Sequence, residues 1–350
     1  MRCFISLTLA IGLGVTLIVP ARAADDNKED VSFRTYDGVL IKGVFYTGSK
    51  GANSPTVIML HKWGGNCSQT GAIDFAKRLQ EKGYSVLAFD FRGHGQSTTV
   101  DPEKFWKFQP NISHYTKSAK KDQSTIKYCD FRPSYLPYLL NDIMAAREDL
   151  DNRNDSGGCN VSNILVVGAE EGASLGLAWM TSEFFRESIN KRNDAIGPTV
   201  WNTKLSLDRP ASEDIAGAIF LSMPRNPQKL AWPYAHFESL TKDKLRTIPM
   251  WFTYGEDDKL GKADAAYFAD VFKLNKGDLK IKNPTLPIPK TTLRGGQLLG
   301  QPALPTPTED LIEKFLENMV KLRPNEAIKK RNANEYKQFP APLAGLGFAQ

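Results

Sequence analysis

The chain has 350 residues, of which 41% are hydrophobic and 24% are charged, and its formal net charge is +6. This composition is typical of a globular protein and excludes a disordered or fibrous chain. The positive charge is small and dispersed along the sequence, so we predict no nucleic-acid partner.

The N-terminal segment indicates secretion. Arg2 precedes an apolar stretch at residues 4–19, and Ala21-Arg22-Ala23 has the small–x–small form of a signal peptidase site. We therefore expect residues 1–23 to be a signal peptide cleaved after Ala23, and the mature protein to be periplasmic or secreted. A membrane anchor is the alternative, but glycines interrupt the apolar stretch. No later apolar run is long enough to cross a bilayer.

Residues 31–322 alternate predicted strands with predicted helices and form one domain. Residues 31–46 alternate apolar and polar side chains around Asp37-Gly38, which predicts a β-hairpin. Buried strands are predicted at 55–60, 84–89, 161–167, 215–221, 249–253 and 291–293, and helices at 72–83, 138–150, 172–189, 263–273 and 308–322. This alternation predicts a doubly wound, mostly parallel α/β sheet with helices on both faces, and the strand ending at Val167 at its centre.

Several segments do not follow that alternation. Residues 98–137 and 191–213 are predicted insertions, which are either lids over a site or surface loops. The proline-containing residues 276–289 predict an extended connection. The tail, residues 323–350, changes composition and is expected to lie on the surface or to be mobile.

Three cysteines remain after the predicted cleavage: Cys67, Cys129 and Cys159. In an oxidising compartment an odd number suggests one disulfide and one free thiol. If a disulfide forms, we expect it between Cys129 and Cys159, because these residues flank the helix predicted at 138–150. The cysteine spacing matches no metal motif, so we predict neither a metal nor another cofactor.

Four segments that follow predicted strands carry the chemical signal: LHKWGG at 60–65, DFRGHGQS at 90–97, GAEEGAS at 168–174 and GEDD at 255–258. The third lies at a strand-to-helix junction, and glycines stand two residues before and after Glu170, as a very tight turn requires. Together these segments resemble the α/β-hydrolase superfamily, nearest to its serine-aminopeptidase-like and dienelactone-hydrolase-like branches. The resemblance covers residues 31–322.

The resemblance implies a catalytic triad whose positions hold the wrong side chains. The family's nucleophile is the serine of Gly-x-Ser-x-Gly, and here that position is Glu170. Asp258 matches the family's acid, with Asp257 as the alternative, whereas Gln297 stands where the histidine is expected. The histidines of the chain all precede Asp258: His61, His94, His114 and His236. A triad needs a histidine between acid and nucleophile, and the one candidate substitute is His236, which would have to approach the site from a cap.

The resemblance also implies an oxyanion hole made of backbone N–H groups, here those of Trp63 and Glu171. His61 and Lys62 are expected to line the site, and Lys62 replaces a glycine of the family pattern. Since a helix N-terminus favours negative charge, we expect Glu170 and Glu171 with Lys62 to form a polar plug over this hole. The alternative is that Lys62 and Glu171 point into solvent.

These positions predict a catalytically inactive protein that acts as a binding or structural protein for an unidentified small molecule or protein. The alternative is an atypical hydrolase of an ester, an amide or a related bond, in which Glu170 acts as a carboxylate nucleophile or as a general base on water.

Overall fold

The computed structural model describes residues 27–118, 122–190, 211–241, 244–272, 285–323 and 346–348. The predicted signal peptide, residues 191–210 of the second insertion and residues 276–284 of the extended connection lie outside the described residues. The strands are β1 (Lys28–Arg34), β2 (Val39–Tyr46), β3 (Pro55–Leu60), β4 (Ser85–Phe89), β5 (Thr99–Val100), β6 (Asn160–Ala169), β7 (Ile215–Leu221), β8 (Met250–Gly255) and β9 (Thr285–Ile288). The helices are α1 (Thr70–Glu81), α2 (Pro102–Phe105), α3 (Gln109–His114), α4 (Leu140–Asp155), α5 (Glu171–Asn190), α6 (Tyr234–Thr241), α7 (Lys244–Thr247), α8 (Lys259–Val271) and α9 (Thr308–Lys321).

The strands form one sheet in the order β1-β2-β4-β3-β6-β7-β8-β9, with β5 paired to β2. The β1–β2 hairpin is antiparallel and so is its junction with β4, whereas every pair from β4 to β9 is parallel. β6 lies at the centre, and all ten of its residues are buried. The predicted mostly parallel sheet with an N-terminal hairpin is therefore confirmed.

Alternate side chains of each central strand enter two separate cores, one on each face of the sheet. Val57 and Met59 of β3 pack on one face with side chains of α1 and α9, while Ile58 and Leu60 pack on the other with those of α4, α5 and α8. Strands buried on both faces are mostly apolar, which is why apolar runs in the sequence predicted the central strands.

A fully buried arginine joins the N-terminal hairpin to the sheet and to α4. Arg92, in the turn after β4, contacts Asp37 at 2.7 Å and Asp142 at 2.8 Å, and it donates to the Tyr135 hydroxyl at 2.9 Å. Asp37 belongs to the hairpin turn and Asp142 to α4. The DFRGHGQS segment thus has a structural role, since an unpaired charge at this depth would be very costly.

The first insertion, residues 98–137, packs into the core. Its aromatic side chains Phe105, Trp106, Phe131 and Tyr135 are buried, and the Phe131 and Tyr135 rings stack at 4.2 Å between centroids. This segment is therefore part of the folded body and carries the short strand β5.

Three sequence-based expectations are wrong. The last strand is β9 at Thr285–Ile288, and residues 291–293 lie in the loop beyond it, because the extended stretch before Pro289 pairs with β8. The three cysteines are free: Cys129 is exposed, whereas Cys159 is buried and contacts the Leu150 carbonyl. The described end of the tail, residues 346–348, packs into the core, whereas residues 324–345 lie outside the described residues.

At that point Phe348 lies edge-on to Trp232 at 4.7 Å and near Phe237 at 5.9 Å, and Leu346 is fully buried beside them. The tail's composition concealed this contact because only two of its residues supply the apolar surface. Within the described residues, no helix is both long and apolar enough to cross a membrane.

Candidate functional site

The turn between β6 and α5 is a strained elbow centred on Glu170. Its φ is +47°, a left-handed conformation that non-glycine residues rarely adopt, and its N–H donates to the Leu221 carbonyl at 2.9 Å. The flanking glycines are sterically required. A Cβ at Gly168 would lie 2.6 Å from the Ala173 Cα, and one at Gly172 would lie 2.4 Å from the His61 carbonyl oxygen. The Gly-x-Glu-x-Gly pattern therefore builds the expected tight turn.

The Glu170 side chain forms an ion pair with Lys62. The Lys62 Nζ lies 3.5 Å from the Glu170 Oε1, and the two side chains are 38% and 22% exposed. Gly295 packs so closely against this carboxylate that a Cβ at position 295 would lie 2.5 Å from the Glu170 Oε1. The Gly295 N–H donates to the Ser222 hydroxyl at 3.0 Å, which fixes the loop after β9 against the elbow.

The neighbouring Glu171 faces the turn after β3. Its buried carboxylate accepts the Trp63 N–H at 3.2 Å and the Gln228 Nε2 at 2.8 Å. One of the two N–H groups that the resemblance assigns to an oxyanion hole, that of Trp63, is thus already bound to a protein carboxylate. The three residues of the expected plug form two separate contacts: Lys62 pairs with Glu170, and Glu171 binds the Trp63 N–H.

The position of the family's acid is also paired with a basic side chain. The Asp258 Oδ2 lies 3.1 Å from the Arg294 Nε, and Asp258 is nearly buried. Gln297 is exposed and lies on the short helical turn Gly295–Leu298, so it lines the same cavity as Glu170. Gly295, two residues before Gln297, packs closely against the elbow side chain.

Two histidines hold the turn after β3 in place. The Phe91 N–H donates to the His61 Nε2 at 3.0 Å, and the Gly64 N–H donates to the His94 Nε2 at 3.0 Å. The Nδ1 of His61 contacts the Lys62 carbonyl at 2.7 Å and that of His94 contacts the Arg92 carbonyl at 2.9 Å, so each ring donates from Nδ1.

Both rings are therefore held neutral. Burial is the largest cause that lowers the pKa of His61, and it lowers the pKa of His94 to about 3 with a further contribution from the neighbouring His61. Each acceptor nitrogen is occupied by a backbone N–H. Accordingly these histidines position the turn that carries Lys62 and Trp63, and they are not poised as bases.

The remaining histidines, His236 and His114, lie on α6 and in the first insertion. His236 is exposed on α6 and lies against the tail segment, where a Cβ at Gly347 would be 2.6 Å from the His236 Cδ2. The His114 Nδ1 contacts the Pro110 carbonyl at 2.9 Å on α3. Ser174, one turn into α5, is buried and 2.8 Å from the Tyr234 hydroxyl. In the part of the chain that is described, no three His, Cys, Asp or Glu side chains form a potential metal site.

A cavity of about 290 Å³ opens beside Glu170 at the carboxyl ends of the parallel strands. Ligands of open α/β sheets bind at this edge. The lining includes polar side chains near the elbow and apolar side chains from the strand ends and from α1: Lys62, Asn66, Gln69, Glu170, Gln297, Gln301, Met59, Leu60, Ala72, Ala88, Val167, Leu221 and Leu299.

Several site residues were not found from the sequence. Arg294 pairs with Asp258, and Gly295 packs against the Glu170 side chain. Ser222 accepts the Gly295 N–H and so holds the loop after β9. One signal was available, because Ser222 is the first polar residue after the buried strand β7, at the sheet edge where sites form.

The strand order, the antiparallel hairpin at one edge and the strained strand–turn–helix elbow define an α/β-hydrolase fold. No family model matches the sequence. The thiohydrolase aneE of Aspergillus aculeatus is 39% identical over 89 residues, which are 23% of this chain and 27% of the thiohydrolase.

Among solved structures, the chain is similar to dienelactone hydrolase from Anabaena variabilis, with a TM-score of 0.48 at 13% identity over 83% of this chain and 98% of that one. It is also similar to esterase B from Lactobacillus rhamnosis, with a TM-score of 0.48 at 13% identity over 85% and 88% of the two chains. A third is the Pyrococcus furiosus esterase Pf2001, with a TM-score of 0.47 at 15% identity over 84% and 90%.

Proposed function

We propose that this α/β-hydrolase-fold protein binds a small molecule in the cavity beside Glu170 and does not hydrolyse it. The observation that carries the proposal is the pairing of each acidic group at the triad positions and the elbow. Glu170 pairs with Lys62 and Asp258 with Arg294, while Glu171 binds the Trp63 N–H. Acyl transfer needs a nucleophile, a base and a free oxyanion site. These contacts use the carboxylate at the elbow, the predicted acid and one of the two expected oxyanion-hole N–H groups, and the predicted histidine position holds Gln297.

The cavity supports a binding role. Its volume of about 290 Å³ is just below the range for small-molecule sites, roughly 300–1,000 Å³. Buried apolar side chains such as Val167 and Leu221 supply binding surface, and amide side chains such as Gln69 and Gln297 supply orienting hydrogen bonds.

Catalysis is tested with a panel of aryl esters, acyl thioesters and anilides, at matched concentrations of wild type and Glu170→Ala. Thioesters are included because the curated relative is named a thiohydrolase. We expect both proteins to match the buffer rate. A wild-type rate above buffer that Glu170→Ala abolishes would refute the proposal.

Binding is tested by a thermal-shift screen of small metabolites against two variants. Ala72→Phe places a ring in the cavity wall, whereas Ala263→Phe adds the same ring at an exposed position of α8. We expect ligands that raise the Tm of wild type and of Ala263→Phe but not that of Ala72→Phe. Equal shifts in all three proteins would place the binding site elsewhere.

A second candidate function is hydrolysis by the Glu170 carboxylate. The strained φ of +47° favours it, because such strain persists mainly where function requires it. In this candidate Glu170 removes a proton from water, which then attacks the carbonyl, and Lys62 holds the carboxylate in place. The substrate panel separates the two candidates, since this one requires activity that Glu170→Gln also abolishes.

We further propose that the protein acts outside the cytoplasm after cleavage behind Ala23. The support is the small–x–small site that follows the apolar stretch. Expression of the full chain in a bacterium, followed by fractionation and N-terminal sequencing, is expected to give a periplasmic protein beginning at Ala24. A cytoplasmic protein that retains residues 1–23 would contradict this.

A further inference from the structure

The cavity beside Glu170 has two chemically different zones. Most of the apolar side chains that line it are nearly inaccessible: Met59, Ala88, Val167, Leu221 and Leu299 are each exposed by less than a tenth. The polar side chains are all more exposed, so they form the mouth: Lys62, Asn66, Gln69, Glu170, Gln297 and Gln301. A ligand that fills this space therefore needs a small apolar body and one polar end.

The charges at the mouth restrict that polar end. Among the described residues that line the cavity, Lys62 and Glu170 carry the formal charges, and their charged atoms lie 3.5 Å apart. His61, which also lines it, is held neutral because burial lowers its pKa. A purely anionic ligand at Lys62 therefore meets the like charge of Glu170 at short range, and a cationic ligand at Glu170 meets that of Lys62.

The ion pair is also easily exchanged. Both side chains are partly exposed, and exposed ion pairs contribute little to stability. A ligand that offers each partner an opposite charge replaces one such contact with two. Closely spaced charges on the ligand fit best, because the two protein charges are adjacent.

We propose that the cavity binds an apolar α-amino acid, with its carboxylate on Lys62, its ammonium group on Glu170 and its side chain among the buried apolar residues. This inference rests on the proposed binding function and names its ligand class. The amides of Gln69, Gln297 and Gln301 supply further donors and acceptors for the carboxylate and the ammonium group. The cavity volume of about 290 Å³ suits a ligand smaller than most cofactors.

The experiment is isothermal titration of the dialysed mature chain with three isosteric probes. L-leucine carries both charges, 4-methylpentanoate lacks the ammonium group and 3-methylbutylamine lacks the carboxylate. We expect L-leucine to bind, and each singly charged probe to bind at least about tenfold more weakly, since a charged hydrogen bond lost on binding costs that much or more. L-methionine and L-phenylalanine extend the series to other apolar side chains.

Two variants test the assignment of the charges. Lys62→Met and Glu170→Gln are each expected to weaken L-leucine by about tenfold. Glu170→Gln should also strengthen the binding of 4-methylpentanoate, because it removes the negative charge that repels this anion. Lys62→Met should strengthen the binding of 3-methylbutylamine, because it removes the positive charge that repels this cation. Lys321→Met and Glu317→Gln, the same changes in a surface ion pair of α9, are the matched controls and should bind all three probes as wild type does.

Equal affinity for the three probes, or L-leucine binding that neither cavity variant changes, would overturn the inference. So would the absence of binding by every amino acid tested. These outcomes leave the proposed function standing if the thermal-shift screen finds another ligand that Ala72→Phe excludes. The proposed function is refuted by a different result, namely hydrolysis that depends on Glu170.

Discussion

Acid should loosen the turn that carries Lys62 and Trp63, because His94 must remain neutral to hold it. The His94 Nε2 accepts the Gly64 N–H at 3.0 Å, and protonation of that nitrogen removes the acceptor. Burial, assisted by the neighbouring His61, lowers the pKa of His94 from 6.5 to about 3. The unfolded chain therefore binds a proton at His94 over a pH range in which the folded chain does not.

The sign and size of the effect follow from linkage. A base whose pKa is depressed in the folded state contributes stability above its unfolded pKa, and this contribution is lost as the pH falls from 6.5 toward 3. Between pH 7.5 and 4.5 the loss from His94 alone is about 2.7 kcal/mol, because each unit of pKa difference corresponds to about 1.4 kcal/mol.

His94→Gln removes this titration while keeping a side chain that can accept the Gly64 N–H. Urea unfolding followed by tryptophan fluorescence at pH 7.5 and pH 4.5 gives the change in the free energy of unfolding. We expect that change to be smaller in His94→Gln than in wild type by about 2.7 kcal/mol, since carboxylates contribute equally to both proteins. His114→Gln is the matched control and should keep the wild-type difference within about 0.5 kcal/mol. Equal acid sensitivity in wild type and His94→Gln would refute the reasoning.

Three further predictions concern the elbow, the buried arginine and the tail. Glu170→Ser is expected to show no hydrolysis of 4-nitrophenyl esters, because no base is positioned for the new serine; robust activity would identify an unrecognised base, and His236→Ala would be the next variant to assay. Arg92→Met should lower the free energy of unfolding, measured by urea titration, by about 3–5 kcal/mol, since it leaves two buried carboxylates without their cation. Arg132→Met, at an exposed position, should change it by less than about 0.5 kcal/mol. Similar losses in the two variants would contradict this. Phe348→Ala should cost about 3 kcal/mol in the same assay, and a loss below about 1 kcal/mol would show that the tail does not contribute to the core.

Local patterns were sufficient for the fold. The strands β3 and β7 were predicted at their observed bounds, because a strand covered on both faces is mostly apolar. The elbow at Glu170 was equally visible, since only glycine fits at positions 168 and 172. The last strand was misplaced because 285–288 is short, includes a proline and has only one fully buried residue, so it lacks that apolar signature.

By itself, the sequence determined that Glu170 and Gln297 stand where the resemblance predicts a nucleophile and a histidine. Only the tertiary structure decided what the remaining polar groups do instead. The contacts of Lys62 with Glu170, of Glu171 with the Trp63 N–H and of Arg294 with Asp258 join residues that are 108, 108 and 36 positions apart. Pairings over such separations are set by the order of strands in the sheet, because the carboxyl ends of the parallel strands meet at one edge. A local sequence pattern does not predict that order.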